Sequence, residues 1–103
     1  MTAAGVTKWP GPEAPNESAL RGLLSSEKLR PYQWSNGPGD VYAPHRHTYD
    51  KVIYVLSGSI TFGLVDSHTE LQLGPGDRLD LPAGITHDAR VGPDGVVCLE
   101  AHR

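Results

Sequence analysis

The sequence predicts an all-β domain, a small sandwich or jelly-roll barrel, with one short helix ahead of it. Two observations carry this. Gly and Pro number 12 and 9 in 103 residues and stand mostly singly between short apolar runs, which is the punctuation of many turns joining short strands rather than of a helical bundle. Those runs are β-branched or alternate in polarity, the period-two pattern of a half-buried strand. The length fits one domain, and so small a core gains from a closed barrel, a metal or a partner subunit.

Residues 1–15 show no periodicity and carry Pro10, Pro12 and Pro15; they read as an extended arm that Trp9 can pin to the body or to a neighbouring subunit. Residues 16–29 read as a short helix packing on the barrel. Asn16 is its N-cap and Glu17 lies in the first turn, where the helix dipole favours a carboxylate. Ala19, Leu20, Leu23 and Leu24 share one face, and the helix ends near Lys28, before Pro31. Residues 30–103 hold the barrel. Strands are expected over 32–35, 51–56, 59–65, 70–73, 78–81, 86–91 and 96–101, with a tight hairpin turn at Ser57-Gly58 and further turns at 36–39, 66–67, 74–77, 82–84 and 94–95. With the segment around His45 this makes roughly eight strands, the density of a small sandwich or jelly roll. Ile53 and Val55 share parity with His45 and His47 and face the interior. Val52, Tyr54 and Leu56 then face outward although equally apolar, so the helix or another subunit must cover them, and a homodimer is expected.

The formal charge of −3 and the absence of clustered Lys and Arg exclude nucleic acid as the default partner. Cys98 is the only cysteine, which excludes an internal disulfide framework and fits a reducing, cytoplasmic setting. It shares parity with Val96 and reads as a small buried hydrophobe. No run has the length of a membrane span and no signal-peptide core is expected at the N-terminus.

The chemistry is concentrated in histidines. His45-Arg46-His47 sets two imidazoles at i and i+2, on one face of a strand and at the spacing to grip one metal ion. His87, entered through Pro82-Ala83-Gly84, can join them if the strands lie side by side. His68 reads as a solvated loop residue and His102 as part of the chain end.

Two longer patterns enclose these residues. Gly39-x5-His45-x-His47-x3-Lys51-x6-Gly58 follows the spacing of the first cupin signature. Gly76-x5-Pro82-x-Gly84-x2-His87 follows the second, with Val91 where that motif usually ends in Asn. The chain therefore resembles a small single-domain cupin over about residues 30–101. The resemblance implies a double-stranded β-helix or jelly-roll barrel with His45, His47 and His87 as metal ligands, and a divalent transition metal (iron, zinc, manganese or nickel) as cofactor.

One position departs from that family. Lys51 stands where its common metal site has Glu, and an ammonium cannot ligate a cation. Three outcomes are open: a three-histidine site, a bulge that swings Asp50 inward as the carboxylate, or a metal-free pocket in which Lys51 and the histidines suit an anionic ligand. Lys51 and Tyr49 are the candidate catalytic residues. An inward Lys51 beside a cation could serve as a base, although a lysine reaching solvent or pairing with neighbours of Asp50 is the simpler reading, and Tyr49 shares the histidines' parity. The expected function is a mononuclear metal enzyme of dioxygenase, lyase or isomerase type on a small organic molecule. The alternative is a non-catalytic small-molecule-binding or metal-free cupin acting as a sensor or accessory protein.

Overall fold

The computed structural model describes residues 3–103. Its elements run β1 (Gly5–Thr7), α1 (Glu17–Ser26), β2 (Tyr32–Asn36), β3 (Val41–His45), β4 (Lys51–Leu64), β5 (Thr69–Leu73), β6 (Arg78–Leu81) and β7 (His87–His102).

The helix starts as its sequence dictates: the Asn16 side chain accepts from the backbone N–H of Ala19 at 2.8 Å, filling one of the donors that a helix start leaves open. It stops at Ser26, short of Lys28, because Lys28 takes a left-handed conformation (φ 62°). The N–H of Leu29 then donates to the Leu24 carbonyl and that of Lys28 to the Ser25 carbonyl, the paired bonds of a Schellman ending with lysine in the place usually held by glycine. Leu20 and Leu24 are fully buried, whereas Leu23 is exposed. The buried face is therefore narrower than the four apolar residues predicted.

β4 and β7 are the spine. Each is a single long strand, and they pair antiparallel from Lys51↔His102 to Leu64↔His87. The expected hairpin at Ser57-Gly58 is instead a bend within β4, and the expected turn at 94–95 is a bend within β7, with register shifts at both places. On one side of the bends β4 pairs with β6, which carries β1, and β7 pairs with β2. On the other side β4 pairs with β5 and β7 with β3. The bends so divide one antiparallel set of strands into two sheets that face each other across a core.

Each bend also flips side-chain parity. Ile53 and Val55 face the core before the β4 bend and Ile60 and Phe62 after it; Ala89 and Val91 face it before the β7 bend and Val96 and Cys98 after it. The opposite face of the first sheet forms a second cluster, in which Leu20 and Leu24 of α1 cover Val52, Tyr54, Leu99 and Ala101. The outward apolar patch is thus covered by the chain's own helix, and it no longer argues for a second subunit.

The N-terminal arm joins the sheet as an edge strand, with Gly5–Thr7 pairing to Arg78–Asp80. Asp77 is its latch: Oδ1 accepts from the Trp9 N–H at 2.9 Å, and Oδ2 from the Gly74 N–H at 2.9 Å and from Lys8 Nζ at 3.0 Å. Burial pushes the Asp77 carboxyl upward in pKa, but the Gly74 and Trp9 N–H groups and Lys8 outweigh it and hold it below its ordinary value of 3.8. A depressed carboxyl contributes stability above its unfolded pKa and loses it as pH falls through the folded one. Urea unfolding measured against pH is therefore expected to show a loss of stability below about pH 4 that is shallower in Asp77→Asn. Equal slopes in the two proteins would exclude the latch.

Candidate metal centre

His45 ends β3 and pairs in register with His87, the first residue of β7. Strand pairing alone therefore brings two imidazoles side by side, with ring centroids 4.3 Å apart and planes tilted by 57°. His47 lies beyond the end of β3, in a loop rather than on the predicted strand. Its carbonyl accepts from the Gly84 N–H at 2.8 Å, which ties that loop to the Pro82-Ala83-Gly84 turn. Its ring centroid is 4.9 Å from that of His45 and 5.4 Å from that of His87. Potential ligand atoms of all three side chains lie within 4.8 Å of one another.

The neighbours set the tautomers. His45 Nδ1 is 2.7 Å from the Ala43 carbonyl and His87 Nδ1 is 2.8 Å from the Ile85 carbonyl. A carbonyl only accepts, so in both rings Nδ1 carries a proton, and in the neutral tautomer this selects the lone pair falls on Nε2. His47 Nδ1 is 3.2 Å from the Tyr49 hydroxyl, and its Nε2 is buried with no hydrogen-bond partner. An orphaned buried nitrogen is costly, and a cation held among the three imidazoles removes the cost. Burial, with Lys51 and the neighbouring imidazoles as positive groups, lowers the pKa of His47, and burial also lowers that of His87. Both shifts favour the neutral ring that metal ligation needs. The donor set fits a transition metal that accepts imidazole.

The histidines form part of the wall of a cavity of about 410 Å³, lined also by Tyr32, Trp34, Tyr42, Tyr49, Lys51, Ile53, Ile60, Phe62, Ala89 and Glu100. Lys51 and Tyr49, the candidate catalytic residues, both line it. Lys51 does not reach solvent as the simpler reading had it: its side chain is 12% exposed and its Nζ lies 3.3 Å from Glu100 Oε2. Asp50 does not swing inward; its Oδ1 caps the Ala83 N–H at 2.8 Å, so the bulge that would make it a ligand is absent.

Glu100 is the residue that sequence reasoning missed. It is 3% exposed, and Oε2 accepts from Tyr32 Oη at 2.5 Å and His102 Nε2 at 2.6 Å, while Oε1 accepts from Trp34 Nε1 at 3.0 Å. Burial pushes its pKa up, but Tyr32, His102 and Lys51 together hold it below the usual carboxylate value. The pocket thus has the acidic partner for Lys51 that the strand segments did not reveal. His102, set aside as part of the chain end, helps hold that carboxylate, and its ring lies 4.1 Å from that of Tyr49. Cys98 is buried as expected, and burial pushes its thiol up to about 12, which makes it inert.

Two facing sheets around a cavity, with three imidazoles gathered on its wall, define a small β-barrel with a metal-site architecture. Residues 34–99 match the Cupin domain, and the chain belongs to the cupin family. Among curated proteins it is similar to the acireductone dioxygenase of Rhodopseudomonas palustris, 37% identical over 49 residues that cover 46% of this chain and 30% of that protein. It is also similar to the dimethylsulfoniopropionate lyase DddQ of Ruegeria pomeroyi, 32% identical over 69 residues that cover 67% of this chain and 34% of that one. The crystal structure of that lyase superposes with a TM-score of 0.65 over 73% of this chain and 38% of the other, at 28% identity. The polyketide cyclase RemF of Streptomyces resistomycificus superposes with a TM-score of 0.62 at 28% identity, over 72% of this chain and 54% of the other. This chain spans about a third of the length of the curated relatives it matches. Among the described residues, no helix is long and apolar enough to cross a membrane.

Proposed function

We propose that the protein holds one divalent transition metal on His45, His47 and His87 and acts on a small organic molecule bound in the same cavity. The observation that carries this is the set of three imidazoles with potential ligand atoms within 4.8 Å, one of them with a buried and unpartnered Nε2. A bound metal there supplies Lewis acidity toward a substrate oxygen.

The chain's own residues do the rest. The carbonyls of Ala43 and Ile85 hold two rings by their Nδ1 protons, and the Tyr49 hydroxyl holds the third; such outer contacts keep ligands in their binding orientation. Trp34, Tyr42 and Phe62 supply apolar wall and displace water from the ligand. Lys51 and Tyr49 are the groups placed to exchange a hydrogen bond or proton with it. The lyase and cyclase relatives and the dioxygenase support a cupin enzyme but differ in reaction, and fold does not choose between reactions.

The second reading, a cupin that binds a small molecule without turning it over, draws on one observation: an ammonium, Lys51, occupies the cavity beside the histidines. Metal analysis of protein purified without added metal, followed by Fe(II) loading and oxygen uptake with thiols, diketones and phenols, separates the two. About one metal per chain and turnover on one class are expected. Metal without turnover, with a melting shift on ligand addition, favours the second reading, and protein that takes up no metal overturns the first.

A further inference from the structure

The cavity's polar groups are not balanced between donors and acceptors. Among the described residues Glu100 is its only carboxylate, and both oxygens already accept hydrogen bonds. Tyr32, His102 and Lys51 approach Oε2, and Trp34 approaches Oε1. A carboxylate has about four acceptor positions, two on each oxygen, so Oε2 is filled and Oε1 keeps one position for a ligand. Lys51 is in the opposite condition. Its ammonium has three N–H donors, and among the described residues its one polar partner is Glu100. Lys51 lines the cavity, so its remaining N–H groups are available to a ligand there.

A cationic ligand therefore finds a carboxylate already largely engaged, and an anionic one finds a pre-positioned ammonium. Glu100 fixes Lys51 without closing it off, because its own charge is shared with a phenol, an indole and an imidazole. The aromatic walls at Trp34, Tyr42 and Phe62 suit an apolar body behind the charged group.

We infer that the pocket takes small organic carboxylates, anchored through their carboxylate by Lys51. This names the ligand class of the site in the proposed function and rests on that site being where the ligand binds, but it does not rest on the metal. The geometry gives a specific contrast: a carboxylate probe binds and its neutral amide of the same shape does not.

The test is calorimetric titration of benzoate and benzamide into chelator-treated and zinc-loaded protein. Wild type is expected to bind benzoate at least tenfold more tightly than benzamide in both forms, since a charge-assisted hydrogen bond is the difference between them. Lys51→Arg is expected to keep most of that preference. Lys51→Met leaves Glu100 buried without its cation and can fail to fold, so the decisive variant is Lys51→Met with Glu100→Gln, which removes both charges together; in its chelator-treated form it is expected to bind both probes equally. Equal or absent binding of the two probes by wild type overturns the proposal, as does a preference that survives in the chelator-treated double variant. Loss of the metal-site reading looks different. A protein that takes up no zinc but still prefers benzoate in a Lys51-dependent way keeps the carboxylate anchor and discards the metal.

Discussion

Protein carrying His45→Ala and His87→Ala is expected to emerge from dialysis without transition metal, while its circular dichroism stays that of the parent. Two of the three imidazoles are gone, and loss of an outer partner alone costs about 10- to 100-fold in metal affinity, so loss of two ligands removes stoichiometric binding. The fold should survive because neither ring belongs to a hydrophobic cluster: His45 is half-buried, and His87, although 2% exposed, sits at the first position of β7 outside both clusters. A second readout is thermal. A ligand present at about a hundred times its Kd stabilises the native state by about 2.7 kcal/mol, which in a domain near 100 residues raises Tm on the order of 10 °C. Adding zinc to wild type should show that rise, and adding it to the variant should show none. Unchanged metal content in the variant would remove these residues from the centre. A rise that persists would place the stabilising ion elsewhere in the chain.

The histidine site was legible because its logic is local. An i, i+2 pair and a third histidine behind a Pro-x-Gly turn are visible as spacing, and the pairing of β3 with β7 completes them. The interior parity of Ile53 and Val55 and the N-cap at Asn16 are local in the same sense. What escaped was tertiary. Glu100 could be placed inside by its parity with Val96 and Cys98, but an inward carboxylate is credible only with partners, and Tyr32, Trp34 and Lys51 lie on other strands, with the first two 66–68 residues away in sequence. Lys51 likewise looked like a break in a motif until its counter-charge was found across the strand pair. The helix was overextended because nothing in its composition marks Lys28 as left-handed. The two bends differ from the expected turns for a physical reason: a glycine with positive φ in a Ser-Gly or Asp-Gly pair fits a hairpin turn and a bulge equally well, and only the continuous pairing of β4 with β7 decides between them.

That bend carries the largest expected effect on stability. Gly58 has φ +76°, and a Cβ built on it would lie 2.0 Å from the Gly95 carbonyl oxygen and 2.8 Å from its carbon. The obstacle is backbone of the paired strand, so no side-chain rotation relieves it. Gly58→Ala must therefore either separate β4 from β7 at the bend or move the bend along the strand. Gly39 separates the two contributions, because it has nearly the same φ, +75°, but no atom within 4 Å of a built Cβ. Gly39→Ala is expected to cost about 1–2 kcal/mol from left-handed strain alone, and Gly58→Ala several kcal/mol more, a large share of the roughly 5–15 kcal/mol that holds a domain together. In thermal unfolding, the first should lower Tm by about 10 °C, and the second should lower it further or prevent folding. Because the bend is where β4 exchanges inward parity between Val55 and Ile60, relaxing it turns Ile60 and Phe62 away from the core and loosens β7 beneath His87. A folded Gly58→Ala protein should then bind metal more weakly than Gly39→Ala does. Equal melting temperatures for the two variants would show that the close approach of Gly58 to Gly95 does not set the bend.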